Sequence, residues 1–249
     1  MMGRSLPIWT MARGGLAATS MIVALGGALF TPTAWAAPCV DNATLASYLS
    51  VGSCTIGDKT FSDFDYSASA SAGVTLIDAS GITIRTLGPT GAGIPNLDIG
   101  LRFVAPWSVG SGQFLDSNIS FTVTAATGFL IEGASLVQAG SSFTPPGIAQ
   151  VSENLFTDAS LSTLVAELST VHTQGTTRLT DEATFTPIIS LHVIKDISVN
   201  GNEGGTASIS LVQNTFSQDG PPIQVPEPAS LALLGGALLG FGLLRRRKA

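Results

Sequence analysis

Through the middle of the chain, apolar and polar side chains alternate in short runs. The clearest is Ile119-Ser120-Phe121-Thr122-Val123-Thr124, in which every apolar residue is followed by a hydroxyl residue. A period of two sends successive side chains to opposite faces of an extended backbone, so this run reads as a strand with one dry face and one wet face. Leu97, Ile99, Leu101 and Phe103 alternate with Asp98, Gly100 and Arg102; Ile189, Leu191 and Val193 alternate with Ser190 and His192; Ala207, Ile209 and Leu211 repeat the pattern. Further strands are expected at 60–66, 74–77, 82–87, 130–138 and 164–171, between turn-rich stretches such as Gly88-Pro89-Thr90-Gly91 and Asn200-Gly201-Asn202-Glu203-Gly204-Gly205. Short strands at this spacing predict an all-β fold, an antiparallel β-sandwich of jelly-roll or Ig-like type. A short N-terminal helix is expected at 44–49, capped by Asp41 or Asn42. No convincing internal repeat divides this region, and it is read as one domain over residues 37–216.

The two ends follow a different pattern. Arg4 and Arg13 precede an apolar run over 16–30, Thr31-Pro32-Thr33 breaks any helix, and Ala34-Trp35-Ala36 puts small residues at the two positions a signal peptidase inspects. Residues 1–36 are therefore expected to be a signal peptide cleaved after Ala36. The alternative, a retained N-terminal anchor, suits the run less well, because a span needs about 20 apolar residues. At the other end a Pro-rich stretch at 217–225 leads into Pro226-Glu227-Pro228, then an apolar segment at 229–244, then Arg245, Arg246, Arg247 and Lys248. The prolines keep the backbone extended and accessible to a processing enzyme. As a helix the apolar segment would measure about 24 Å, barely matching a hydrocarbon core of about 30 Å, which suits temporary retention in a membrane. The basic cluster would stay cytoplasmic and leave the preceding domain outside.

Charge sharpens the picture. Of eleven basic residues only five lie between the two ends, whereas all seventeen acids fall between Asp41 and Glu227. So acidic a domain repels nucleic acid and anionic lipid. The only cysteines, Cys39 and Cys54, lie just inside the expected mature start, and an oxidising compartment favours their pairing as a disulfide. A catalytic or metal-binding thiol is the alternative, but two cysteines without adjacent histidine make a poor zinc site.

Pro226-Glu227-Pro228, the apolar helix and Arg245 to Lys248 together resemble the PEP-CTERM sorting signal of Gram-negative bacteria. The resemblance covers residues 226–249. It implies recognition by an exosortase, a membrane-embedded cysteine protease or transpeptidase, and cleavage near Pro226-Glu227-Pro228. It also implies passage through the inner membrane before display at the cell surface or release, and an association with exopolysaccharide and biofilm. A plain C-terminal tail anchor is the alternative. The stretch from Cys39 through Leu45, Tyr48 and Cys54 to Gly57-Asp58 and Phe61 resembles an N-terminal pattern of uncharacterised PEP-CTERM proteins and implies no activity.

Motifs of catalysis are missing: there is no G-x-S-x-G and no H-E-x-x-H, and Gly91-Ala92-Gly93 lacks the third glycine of a dinucleotide loop. His172 and His192 are the only histidines, and His192, on the polar side of its strand, is expected at the surface. Asp58, Asp63 and Asp65 offer hard oxygen ligands for calcium, but without the spacing of an EF-hand loop a solvated acidic edge is the simpler reading. No catalytic residue, cofactor or metal site is assigned. The expectation is a non-enzymatic surface or extracellular-matrix protein, with signal peptidase, exosortase and exopolysaccharide as partners. The alternatives are a secreted carbohydrate-binding module or a hydrolase on the same scaffold, whose paired acids would stand about 5–10 Å apart.

Overall fold

The alternating segments pair into two facing, almost wholly antiparallel sheets. A computed structural model describes residues 36–88 and 99–219. In chain order its strands are β1 (Ala37–Pro38), β2 (Ala43–Thr44), β3 (Ser53–Ile56), β4 (Lys59–Ala70), β5 (Thr83–Leu87), β6 (Ile99–Val109), β7 (Phe114–Ala125) and β8 (Leu130–Ala139). They continue with β9 (Ser142–Thr144), β10 (Ile148–Phe156), β11 (Leu164–Thr173), β12 (Thr176–Arg178), β13 (Thr180–Ile188), β14 (Ser190–Asn200) and β15 (Thr206–Asp219), and one helix, α1 (Leu45–Val51), follows β2. One sheet has the order β1-β3-β4-β7-β14-β10-β11-β12; the other runs β13-β8-β15-β6-β5-β2, with β9 also on β15. The described residues thus form a β-sandwich with one short α-helix. The last strand runs to Asp219, so the sheet continues past Phe216.

The core lies between the sheets. Phe121 is fully buried at its centre, with the rings of Phe61, Phe64, Phe103 and Phe216 at centroid distances of 6.1, 5.7, 6.1 and 6.3 Å. At one end Cys39 and Cys54 form a disulfide with Cα atoms 4.7 Å apart. Between them α1 buries Leu45 and Tyr48, and Tyr48 meets Phe64 edge-on at 5.2 Å. The helix cap is Thr44, whose Oγ1 accepts from the Ser47 amide at 3.2 Å, and not Asp41 or Asn42. Ala43 and Thr44 are first used to pair with β5, which delays the helix. Asn42 takes a left-handed turn (φ 59°), and Asp41 Oδ1 accepts from the Thr86 amide at 2.9 Å.

Three other expectations need correction. Residues 74–77 form no strand: Ile77 O accepts from Tyr66 Oη at 2.5 Å and the Val74 amide donates to Ser71 O at 3.2 Å, so a side chain and a turn take the place of ladder partners. Ile189 precedes β14 and is 62% exposed, so the inward row of that strand is Leu191, Val193, Lys195, Ile197 and Val199. Leu211 does not continue the row of Ala207 and Ile209. Opposite it β6 carries an extra residue beside Pro106, and the buried positions of β15 shift to Val212, Asn214 and Phe216. A proline has no amide to lose from the ladder, so a bulge is where a strand tolerates one. β4 makes the same change of face: a register shift at Asp63 (φ 53°) moves its inward positions from Lys59 and Phe61 to Phe64 and Tyr66.

Polar groups also cross the core from sheet to sheet. Lys59 Nζ on β4 donates to Gln218 Oε1 on β15 at 2.7 Å, and to Asp58 at 3.3 Å. Thr170 Oγ1 on β11 donates to Gln138 Oε1 on β8 at 2.9 Å, and Trp107 Nε1 on β6 donates to Ser117 Oγ on β7 at 3.0 Å. Glu153 on β10 and Lys195 on β14 are register partners, fully buried and ion-paired, and Asn214 Nδ2 on β15 donates to both Glu153 oxygens at 2.6 Å.

Candidate functional site

The outer face of the larger sheet is built from the wet halves of β4, β7, β14, β10 and β11. Register places Ser67, Asn118, Asp196, Ser152 and Ser169 in one row across these strands, and Ser69, Asp116, Ser198 and Gln150 in the next. An open groove is lined by Ser67, Ser69, Asp116, Asn118 and Asp196. Asp116 and Asp196 are diagonal neighbours on paired strands, a separation of about 7–8 Å. Partial burial, then the Asp116 charge, raises the pKa of Asp196 above the ordinary carboxylate range. The next outward residue of β7 is Phe114, 39% exposed, so an aromatic ring stands on the same face beside the groove-lining Asp116. This face thus offers carboxylate and amide hydrogen-bonding groups and an apolar platform on a rigid sheet, chemistry suited to hydroxyl-rich ligands.

The histidines lie elsewhere. His192 is on the outer face but only 9% exposed, contrary to the expected surface position, with Nδ1 3.2 Å from Thr122 Oγ1. His172 Nδ1 lies 3.0 Å from Ser141 Oγ and its ring meets Phe143 edge-on at 4.7 Å. Neither is hydrogen-bonded to a carboxylate among the described residues, so no Ser-His-Asp triad is assembled there. The three acids considered for calcium diverge: Asp58 is buried against Lys59, while Asp63 and Asp65 are exposed. No group of three or more His, Cys, Asp or Glu able to hold a metal occurs among the described residues.

Ala34, Pro226, Glu227, Pro228 and the cluster Arg245 to Lys248 lie outside the described residues, as does the expected span at 229–244. No helix among the described residues is long and apolar enough to cross a membrane. The profile of the PEP-CTERM protein-sorting motif matches residues 224–248. The chain carries a PEP-CTERM sorting motif. No curated protein matches this chain. Similar solved structures include the carbohydrate-binding module TmCBM61 with β-1,4-galactotriose, at 11% identity over 63% of this chain and 88% of that one, TM-score 0.27. Another is the family 11 carbohydrate-binding module of Clostridium thermocellum, with 8% identity, 64% and 96% coverage and a TM-score of 0.24. The enzymatically active domain of the bacteriophage CBA120 tailspike protein 4 is a third, with 14% identity, 60% and 19% coverage and a TM-score of 0.27.

Asp116, Asn118 and Asp196 were not among the residues expected from sequence to form a site. Asp116 follows Leu115, while Asn118 and Asp196 follow the buried Ser117 and Lys195, so each lies on the wet phase of its strand and looks like ordinary wet-face filling. Only strand register brings them together.

Proposed function

We propose that this is an exported, non-enzymatic surface or extracellular-matrix protein, cut by an exosortase and associated with exopolysaccharide in a biofilm. The motif at 224–248 carries this reading. The disulfide between Cys39 and Cys54 agrees with it, because oxidising compartments lie outside the cytoplasm. In this reading signal peptidase cuts after Ala36, the segment at 229–244 holds the chain in the inner membrane, and exosortase cuts near Pro226 to Pro228. The test is the intact mass of the protein from cells with and without exosortase. A product ending near Pro226 to Pro228 only when the enzyme is present supports the proposal. Retention of Arg245 to Lys248 in both strains would leave a tail anchor and remove the basis for the biofilm role.

The groove on the larger sheet favours a second reading, in which the sandwich itself binds a glycan. Asp116, Asn118 and Asp196 would hydrogen-bond sugar hydroxyls and Phe114 would cover an apolar sugar face. Calorimetric titration with the producing strain's exopolysaccharide tests it. Binding lost in Phe114→Ala and Asp116→Asn supports this reading, and a flat wild-type trace sinks it. Reducing ends released by wild type but not by Asp196→Asn would show instead that the two carboxylates catalyse hydrolysis.

A further inference from the structure

Inside the sandwich an amine, a carboxamide and a carboxyl group meet where water does not reach. Lys195, Asn214 and Glu153 are each fully buried. Glu153 Oε2 pairs with Lys195 Nζ and also accepts from Asn214 Nδ2 at 2.6 Å, so one oxygen holds both nitrogens. Apolar side chains flank all three: Val193 and Ile197 on β14, Val151 and Leu155 on β10, Val212 and Phe216 on β15. Asn214 Oδ1 is buried without a hydrogen-bond partner, so nothing stabilises its amide carbonyl in the resting arrangement.

We propose that Lys195 and Asn214 become joined by an amide bond, formed inside the folded chain with Glu153 as the acid–base group. Burial pushes the Lys195 pKa down, against the pull of Glu153, which favours the neutral nucleophilic amine. The proton leaving Nζ passes to the Glu153 carboxylate paired with it. Nζ then attacks Cγ of Asn214, and the carboxyl proton passes to Nδ2, which both Glu153 oxygens already face. The Nζ–Cγ bond forms, the Cγ–Nδ2 bond breaks, and Nδ2 departs as ammonia. Starting from the ammonium form, Nζ sheds two protons: one leaves on Nδ2 by way of Glu153, and the other stays on the Glu153 carboxyl. The exchange is redox-neutral and needs no cofactor. Exchange between an amine and an unactivated carboxamide is slow in water. Fixed neighbours supply an effective concentration of about 10⁵–10⁸ M, and a shared acid–base group adds about 10²–10⁴-fold. The product would tie β14 of one sheet to β15 of the other.

The test uses the full-length protein purified from its producing cell, unfolded, reduced and digested with a glutamate-specific protease. Cleavage after Glu182 and Glu203 separates the stretch holding Lys195 from the stretch holding Asn214. The expected result is that both stretches appear as one branched species, lighter than their sum by one ammonia, with fragmentation placing the junction at Lys195 and Asn214. Two separate, unmodified fragments from the folded wild-type protein would overturn the proposal without any variant. Glu153→Gln, checked for folding by its thermal transition, is expected to give separate fragments; a branched species from it would overturn the role given to Glu153.

Discussion

Phe121→Ala should remove the centre of the core. The ring is fully buried and stands 5.7 to 6.3 Å from four other phenylalanine rings, two of them, Phe103 and Phe216, on the opposite sheet. Truncating a buried phenylalanine costs about 3–5 kcal/mol, from lost transfer energy and the cavity left behind. Aromatic pairs add about 0.5–1.5 kcal/mol beyond area, and strands hydrogen-bonded on both sides cannot close in to fill the void, so the upper half of the range is expected. That is a large part of a typical stability of about 5–15 kcal/mol. The matched control is Phe114→Ala, on the same strand but 39% exposed on the outer face, where a change within about 0.5–1 kcal/mol is expected. Urea unfolding followed by circular dichroism, with the disulfide intact, measures both. Equal losses, or a Phe121→Ala loss under about 2 kcal/mol, would refute the assignment of this aromatic cluster as the core.

Gly100→Ala would put a Cβ 1.8 Å from the Asn214 carbonyl oxygen, so the thermal midpoint should fall by the equivalent of about 1–3 kcal/mol or more, whereas Gly175→Ala meets nothing within 4 Å and should be neutral. Thr44→Ala removes the α1 cap and should cost about 1 kcal/mol in the same assay. Replacing Cys39 and Cys54 together by serine should cost about 3 kcal/mol in denaturant midpoint, from loop-closure entropy across their separation of 15 residues. Asp196 has a raised native pKa, so folding favours its protonated form. The stability this gives is present below the ordinary carboxylate pKa and lost as pH rises through the native value. Asp196→Asn should therefore melt higher than wild type at neutral pH, with the difference shrinking toward pH 3; the opposite trend would contradict the burial of this carboxylate.

The alternation at 119–124 was enough to place β7 and its dry face, because every inward residue there is apolar. β10 was not expected from sequence although it is as regular: its inward row is Ala149, Val151, Glu153 and Leu155, and the charge in the third place breaks the period. Lys195 hides the length of β14 in the same way. Alternation alone reports which residues change face together, not where a bulge switches the face, so Leu211 was set on the wrong side while Ala207 and Ile209 were set correctly. His192 follows the polar phase of its strand as expected but is covered, a consequence of three-dimensional neighbours that a linear pattern does not contain. The groove residues fail for another reason. Asp116, Asn118 and Asp196 are ordinary wet-face residues until register makes them neighbours.

The buried Lys195–Glu153–Asn214 cluster is poorly explained as a stabilising ion pair. Desolvating two charges offsets most of their attraction, and replacing such a pair by apolar residues of similar volume is often neutral or stabilising by about 1–4 kcal/mol. The variant Lys195→Met, Glu153→Leu, Asn214→Leu therefore separates two explanations. If the cluster is only an ion pair with a hydrogen-bonded amide, the variant should be as stable as wild type or more so, since all three positions are already surrounded by apolar side chains. If Lys195 and Asn214 are covalently joined, the variant loses a cross-link between consecutive strands, and the loop-closure entropy it releases on unfolding is worth about 3 kcal/mol. The signs differ, so guanidinium unfolding of the two proteins distinguishes them when the apolar replacement packs without strain. A variant that outlasts wild type would argue strongly against the amide bond. A domain held by that bond and by the Cys39–Cys54 disulfide would have one covalent tie at its N-terminal edge and another through its centre, suited to a protein that works beyond the reach of cytoplasmic chaperones.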